Sequence, residues 1–308
     1  MKKILITGSS GFIGSHLSEG YKEKYQIYSH DIKTLNLLDS RAVFEYLEKM
    51  NFDVVIHTAT WSDRNLANKP IDVLANNLNM FFNLARNHDC FGKLIYYGSG
   101  AEYDRFNLVP KATEDFFNIY IPESAYGLSK FIMAQHTAVS TNIFELIPFA
   151  VFGPGEDWRT RFISNACCRD IFDLPITIMK NVVYDYIYVE DLVKITEWFI
   201  NNTPPEHSYN VCYGQPYDLY SLAQMVQKYS GKGNQIIIQD QGMGHEYSGD
   251  NSKLLKLIPD IKFTKIEDAI ASVYQWYLAN KQYLSKDELS FNSFKNSMEN
   301  KVIHEDKA

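Results

Sequence analysis

The 308-residue sequence predicts an α/β protein built on a doubly wound parallel sheet, with a smaller C-terminal α/β region after it. Three observations predict this. Short aliphatic runs alternate with longer segments of helical period through the first half of the chain. Several of the short runs are apolar throughout, as strands covered on both faces are. A glycine cluster, Thr7-Gly-Ser-Ser-Gly-Phe-Ile-Gly14, stands between the first apolar run and the first helical segment.

The elements follow in order. Residues 3–7 read as a strand, 13–24 as a helix and 26–29 as a second strand. A helix over 40–49 takes its N-cap from Asp39-Ser40. Residues 53–57 read as a strand, 72–87 as a long helix, 93–97 as a strand, 124–140 as a helix and 143–149 as a strand. The alternation stops at Gly153-Pro154-Gly155. Beyond it, 184–189 reads as a strand, and 193–201, 221–230 and 266–278 as helices. The expected organisation is a dinucleotide-binding domain over 1–155, with a strand and helix near 184–212 returning to it. A substrate-binding region over 156–285 and a polar tail over 286–308 follow.

Composition narrows the function classes. A hydrophobic share of 45% and a charged share of 22% are those of a soluble globular chain. A net charge of −7 lacks the basic footprint of a nucleic-acid binder. No apolar run is long enough to span a membrane, and Ile4-Leu5-Ile6 is too short for the apolar part of a signal peptide. The four cysteines, at 90, 167, 168 and 212, have no metal-ligand spacing. Free thiols in a cytoplasmic protein without a metal are the expectation.

The glycines at 8, 11 and 14 carry the first functional reading. Gly8 permits a tight turn, Gly11 lets the backbone approach a pyrophosphate at a helix N-terminus, and Gly14 lets the helix pack closely on the strand. Ser10, Phe12 and Ile13 complete the loop. An acid follows at the end of the second strand, Asp31, near the expected separation of about twenty residues. It would accept hydrogen bonds from the adenosine ribose, which favours NAD over NADP, although His30 and Lys33 stand beside it. A glycine-rich turn without a ligand is the alternative. These features together specify a Rossmann-type sheet.

Ala125-Tyr-Gly-Leu-Ser-Lys130 places Tyr126 and Lys130 four apart on one helix face. A tyrosine with a pKa of about 10 is a poor acid–base group at neutral pH until a nearby ammonium stabilises its phenolate. An amphipathic helix with a solvated lysine would show the same spacing. In Leu94-Ile-Tyr-Tyr-Gly-Ser-Gly-Ala-Glu-Tyr-Asp104, an apolar run ends in four small residues with the hydroxyl of Ser99 among them. Space for a ligand touched by Ser99, or a plain turn, explains them.

With these pieces in hand, the chain from residue 3 to about 281 resembles the extended short-chain dehydrogenases/reductases that act on nucleotide sugars, the NAD-dependent epimerase/dehydratase type. The resemblance rests on TGSSGFIG, Asp31, VVIHTAT (54–60), NNLNMFFNL (76–84), the Ser99 segment, YGLSK, FGPG (152–155), YDYIYVEDL (184–192) and YNVCYG (209–214). LNLLDSRAVFEYL (35–47) and VYQWYLAN (273–280) look most like GDP-fucose synthases. The resemblance implies Tyr126 as general acid or base, Lys130 as holder of the nicotinamide ribose, and Ser99 as hydrogen-bond partner of the sugar oxygen. It also implies Leu38 and Asp39 along the adenine, and His57, Thr58 and Ala59 lining the cofactor. Phe149 would face nicotinamide and sugar, and Asn77 would be structural.

The same resemblance narrows the reaction. Dehydratases of this type keep an Asp-Glu pair where this chain has Gly100 and Ala101, with Glu102 one place late and turned the other way on an extended segment. C3/C5-epimerising members keep a cysteine at Ala101 and a histidine at Arg161. What remains is hydride transfer at one carbon, most simply C4 of a 4-keto nucleotide-diphosphate sugar, finishing a deoxysugar or heptose for surface polysaccharide. The alternatives are a 4-epimerase that retains its NAD and a dinucleotide-binding sensor without catalysis. Tyr184 stands where such enzymes often place a pyrophosphate-binding arginine, so Arg159, Arg161, Lys180 or His245 would take that charge. Ala150 replaces their usual asparagine. Members are often homodimers through two helices, here 72–87 and 124–140, with Met80, Phe81, Phe82, Phe131, Met133 and His136 in the contact or in the core.

Overall fold

A computed structural model describes residues 1–62 and 72–290. Strand β1 (Lys3–Thr7) leads into α1 (Phe12–Tyr21) and β2 (Gln26–His30). Then come α2 (Ser40–Met50), β3 (Phe52–His57), α3 (Val73–Ala85), β4 (Phe91–Tyr97), α4 (Ala125–Thr137) and β5 (Ile143–Pro148). The second half contains β6 (Ala150–Phe152), α5 (Phe162–Ile171), β7 (Ile176–Asn181), β8 (Val183–Tyr184), β9 (Tyr186–Tyr188), α6 (Val189–Asn201) and β10 (Ser208–Val211). It closes with β11 (Tyr217–Asp218), α7 (Leu219–Ser230), β12 (Ile236–Met243), α8 (Ser252–Leu257), α9 (Ile266–Ala279) and α10 (Lys286–Ser290). Among the described residues, no helix is long and apolar enough to cross a membrane.

These elements form two compact units. The first holds Met1–Phe149, Val189–Gly214 and Tyr247–Lys262; the second holds Ala150–Tyr188, Gln215–Glu246 and the described chain from Phe263. The sequence sets a boundary at 155 and returns a strand near 184. In the structure that stretch is two short strands, β8 pairing with β11 and β9 with β6, all within the second unit. The return to the first unit starts only at α6, and 247–262 returns as well.

The first unit is built on a six-stranded parallel sheet in the order β10-β5-β4-β3-β1-β2. The chain leaves β1 towards β2 on one side and continues through β3, β4 and β5 on the other. This is a doubly wound sheet whose switch point lies between β1 and β3. The strands are buried apolar runs, Ile4-Leu5-Ile6 and Val54-Val55-Ile56 among them, each fully or almost fully out of solvent. Val43 and Leu47 of α2, Phe81 and Leu84 of α3 and Met133 of α4 pack in one cluster against Leu5, Val55, Leu94 and Ile143 of the sheet. Helix α1 is tied to α6 by Tyr21 Oη donating to the Val193 carbonyl at 2.7 Å, and the turn after α1 by the Lys24–Glu197 ion pair at 2.7 Å.

The second unit packs Cys167, Cys168 and Ile171 of α5, Leu222 and Val226 of α7, and Ile270, Val273 and Tyr277 of α9 around Ile176 and Ile178 of β7. The expected polar tail begins later than 286. Leu289 of α10 is 1% exposed, and Arg169 donates to its carbonyl at 2.7 Å. The rest of that expected tail, 291–308, lies outside the described residues.

Candidate active site

At the switch point, the loop after β1 is folded tightly against the end of β3. The Gly8 and Ser9 N–H groups donate to the His30 carbonyl at 2.9 and 3.3 Å, and Gly11 N–H donates to the Gly8 carbonyl at 2.9 Å. Thr58 Oγ1 donates to the Thr7 carbonyl at 2.7 Å. Gly8 sits at φ +70°, and a Cβ there would lie 2.7 Å from the Ala59 nitrogen. A Cβ on Gly14 would lie 2.4 Å from the Gly8 carbonyl oxygen. The first turn of α1 has no side-chain cap, whereas Asp39, Asp72 and Ser124 cap α2, α3 and α4. An uncapped helix start behind a glycine loop, with Ser10 and Gly11 exposed beside it, fits a dinucleotide pyrophosphate.

Asp31 fits the adenosine ribose of the same group. Its Oδ1 accepts from Lys33 N–H at 2.9 Å and Thr34 N–H at 3.2 Å, which holds the carboxyl below its usual range and ionised. Among the described residues its other oxygen accepts no hydrogen bond. Asp39 is committed to capping α2 through Arg41 and Ala42 N–H, while the Leu38 side chain is exposed.

The His57 ring is buried and hydrogen-bonded through Nδ1 to Thr7 Oγ1 at 2.8 Å. It ties the end of β3 to the end of β1, where the glycine loop starts. Desolvation, with the Lys130 ammonium second, lowers its pKa to about 3, so the ring stays neutral. A histidine whose folded pKa lies below its ordinary 6.5 stabilises the fold above 6.5 and loses that contribution as pH falls towards 3. The advantage of the parent over His57→Gln should shrink across that window, by up to about 5 kcal/mol. Denaturant midpoints of both proteins over that pH range check it, and a constant difference refutes it.

Ser99, Tyr126 and Lys130 gather at the end of β4. Lys130 is 4% exposed; its Nζ donates to the Tyr97 carbonyl at 2.7 Å and lies 5.7 Å from the Tyr126 ring centre. Ser124 caps α4, a Cβ on Gly127 would strike the Ala101 carbonyl at 2.7 Å, and Ser129 Oγ donates to the Tyr126 carbonyl. Asn77 donates to Ser129 Oγ at 3.2 Å and exchanges hydrogen bonds with the Trp61 backbone. Helix α4 is thus fixed at both the turn and the β3 loop, and Asn77 is one of its supports.

The turn after β4 departs from the sequence expectation. Gly100–Tyr103 is a 3-10 turn, not an extended segment, and Ser99 caps it in a capping box with Glu102. Glu102 is therefore turned inwards, 1% exposed, and accepts Ser99 N–H at 3.3 Å. The S-x-x-E spacing carried this signal. The space beside Gly100, expected to be open, is filled: a Cβ there would lie 2.6 Å from the Phe149 ring and 2.9 Å from Tyr247 Oη. Phe149 is buried against Tyr247, with ring centres 5.2 Å apart. Ala101 is buried and donates its N–H to Ser99 Oγ. Tyr247 Oη lies 3.4 Å from Ser99 Oγ, and Arg105 stacks over its ring at 4.5 Å. The sequence does not single out Tyr247, which lies 148 residues from Ser99.

In the second unit the four expected cations divide. Arg159 pairs with Glu288 and stacks on Trp158 at 4.2 Å, and Arg161 Nε lies 3.8 Å from Glu156. Both already have acids beside them. Lys180 and His245 are exposed at the same end of the β7–β12 pair, where Gly244 N–H donates to the Asn181 carbonyl. Within the first unit, Met80, Phe81, Phe131 and Met133 are buried in the chain's own core. Of the aromatics considered for a dimer contact, Phe82 and His136 are half-buried and meet edge to face at 5.2 Å.

Comparison with known proteins agrees with this geometry. The NAD dependent epimerase/dehydratase family matches residues 4–212. A GDP-6-deoxy-D-talose 4-dehydrogenase of Aggregatibacter actinomycetemcomitans is 25% identical over 307 residues, covering 89% of this chain and 97% of that protein. A GDP-L-fucose synthetase from Naegleria fowleri superposes with a TM-score of 0.80 at 20% identity, covering 92% of this chain and 95% of that one. A GDP-mannoheptose C4 reductase from Campylobacter jejuni with NADP bound superposes with a TM-score of 0.77 at 20% identity, covering 90% and 98%. At such identities the structural likeness establishes the Rossmann-type fold.

Proposed function

The chain belongs to the NAD-dependent epimerase/dehydratase family, and from that premise we propose that it reduces the C4 ketone of a nucleotide-diphosphate sugar without dehydration or C3/C5 epimerisation. One observation carries the proposal. The Ser99–Tyr126–Lys130 set stands at the end of β4, while the places after Ser99 hold no base. Gly100 and Ala101 lack ionisable groups, and the Glu102 carboxyl is buried against Glu145. An enzyme that moves a proton on carbon needs a base there; one that only reduces a carbonyl does not.

The roles follow from the chemistry of the side chains. A reduced nicotinamide supplies hydride to C4 when bound. Tyr126 Oη donates its proton to the sugar oxygen as negative charge develops on it. Lys130, fixed by the Tyr97 carbonyl, stabilises the phenolate left behind. Ser99 Oγ donates a hydrogen bond to the same sugar oxygen. The glycine loop and the free oxygen of Asp31 would hold the dinucleotide, and Asp31 favours NAD. Lys180 and His245, exposed at one end of the β7–β12 pair, are the candidates for the sugar-nucleotide pyrophosphate.

Incubating the purified chain with a 4-keto-6-deoxy nucleotide sugar and reduced NAD or NADP should remove the nicotinamide absorbance. No loss of absorbance with any 4-keto nucleotide sugar refutes the reductase. Co-purification of oxidised NAD, with interconversion of 4-epimers in place of net reduction, would instead identify the 4-epimerase that Asp31 also suits.

A further inference from the structure

Behind the Ser99 turn lie two carboxyl groups that the reaction does not use. Glu102, in the turn, is 1% exposed, and Glu145, in the middle of β5, is fully buried. Their carboxyls meet beside Gly98. Tyr96 Oη donates to Glu145 Oε1 at 2.5 Å and Ser208 Oγ to Oε2 at 2.8 Å. Glu102 Oε2 accepts Ser99 N–H, while Oε1 meets no other donor. Among the described residues no ion pair includes either acid. Two carboxylates cannot hydrogen-bond without a proton, and in contact they cannot both ionise. A proton on Glu102 Oε1, donated to Glu145, satisfies the orphaned oxygen.

The pair also borders the catalytic set. A Cβ on Gly98 would strike both carboxyls, at 2.3 Å from Glu145 and 2.8 Å from Glu102, and Gly98 follows Tyr97, whose carbonyl anchors Lys130. The Lys130 ammonium acts on both acids, favouring their charged forms. A buried ammonium that donates to a neutral carbonyl needs a negative charge nearby. We infer that Glu102 and Glu145 hold one proton and one negative charge between them, and that this charge is the buried counter-charge of Lys130, setting how strongly Lys130 favours the Tyr126 phenolate.

Other groups face the pair. Tyr96 comes from β4, Tyr103 from the turn itself and Lys130 from α4. A cavity of about 370 Å³ beside both acids is lined by Glu114, Asp115 and His207, and by Glu206 with its ion-pair partner Lys253. Burial pushes both carboxyls up, and their mutual interaction raises Glu102 further.

The inference rests on the proposed roles of Tyr126 and Lys130, so its test uses neither sugar nor dinucleotide. In Glu102→Gln the amide supplies a permanent donor to Glu145, and the single charge stays. In Glu102→Gln/Glu145→Gln the hydrogen bonds can be kept but the charge is gone. Tyr126 is followed by NMR of protein labelled at tyrosine Cζ, its signal assigned by Tyr126→Phe. The double variant should lower the Tyr126 titration midpoint by about one unit, because Lys130 then acts on Tyr126 uncompensated. Glu102→Gln should leave that midpoint in place. A folded double variant with an unmoved midpoint overturns the inference, and so does a single variant that shifts it as far as the double. The unsubstituted chain gives a second reading that does not depend on variants folding. Its infrared spectrum at neutral pH should contain a protonated-carboxyl band, and absence of that band overturns the inference. A chain that reduces no keto sugar yet passes these tests loses the reductase reading alone.

Discussion

Replacing Tyr126 by phenylalanine should lower kcat/KM for 4-keto sugar reduction about a thousandfold, within the range for loss of a positioned proton donor. The fall should appear in kcat, because the hydroxyl gives up its proton only as the carbonyl oxygen gains charge, and ground-state binding does not use that transfer. Dinucleotide affinity should be unchanged. The helix that carries Tyr126 is held by the Ser124 cap, by the Gly127 approach to Ala101 and by the Asn77–Ser129 hydrogen bond, none of which involves the phenol oxygen. Lys130 keeps its bond to the Tyr97 carbonyl. Single-turnover reduction and direct titration of the dinucleotide separate the two quantities. A variant that retains full activity removes Tyr126 from the mechanism, whatever the reaction proves to be.

Features written within a few residues of one another were legible before the structure. The GxxGxxG loop needs only its own flanking strand and helix, and Asp39 acts on the turn that immediately follows it. The YxxxK pair is set by helical spacing alone. Features decided across the sheet were not legible. Tyr247 reaches Ser99 from a segment 148 residues away, and Glu145 meets Glu102 only because β5 lies beside β4. Glu288 reaches Arg159 from α10, in a stretch that reads as a polar tail. The misreading of Glu102 has a different origin. The stretch after Tyr97 reads as extended, although the S-x-x-E spacing that begins at Ser99 marks a capped turn. Helix α5 is buried on all sides from Ile163 to Ile171 and so presents no apolar stripe against a polar face, while most of β12 is exposed and shows no buried alternation.

The glycine loop allows fold and binding to be pulled apart, and Gly14→Ala against Gly11→Ala is the comparison that does so. An alanine inside a helix is worth about 1 kcal/mol over glycine, which would favour Gly14→Ala if nothing stood near it. The added Cβ instead meets the Gly8 carbonyl oxygen at 2.4 Å and Thr58 Oγ1 at 2.8 Å. The first contact is backbone, held by the Gly8 bond to the His30 carbonyl, so it cannot swing away as a side-chain end would. Helix α1 must move off the loop, and overpacking of this kind costs about 1–3 kcal/mol, enough to cancel or exceed the helix gain. Displacement of the uncapped first turn should also weaken dinucleotide binding at least about tenfold, since about 1.4 kcal/mol of lost interaction is sufficient. At Gly11 the added Cβ would meet only the Gly8 carbonyl oxygen, at 3.2 Å, and φ is −80°, so the backbone tolerates alanine. Gly11→Ala should therefore melt close to the parent and yet lose affinity, because its methyl occupies the approach of the pyrophosphate. Melting curves with and without dinucleotide measure both effects. If Gly11→Ala binds as the parent does, the pyrophosphate does not lie against this turn, and the uncapped start of α1 has some other explanation.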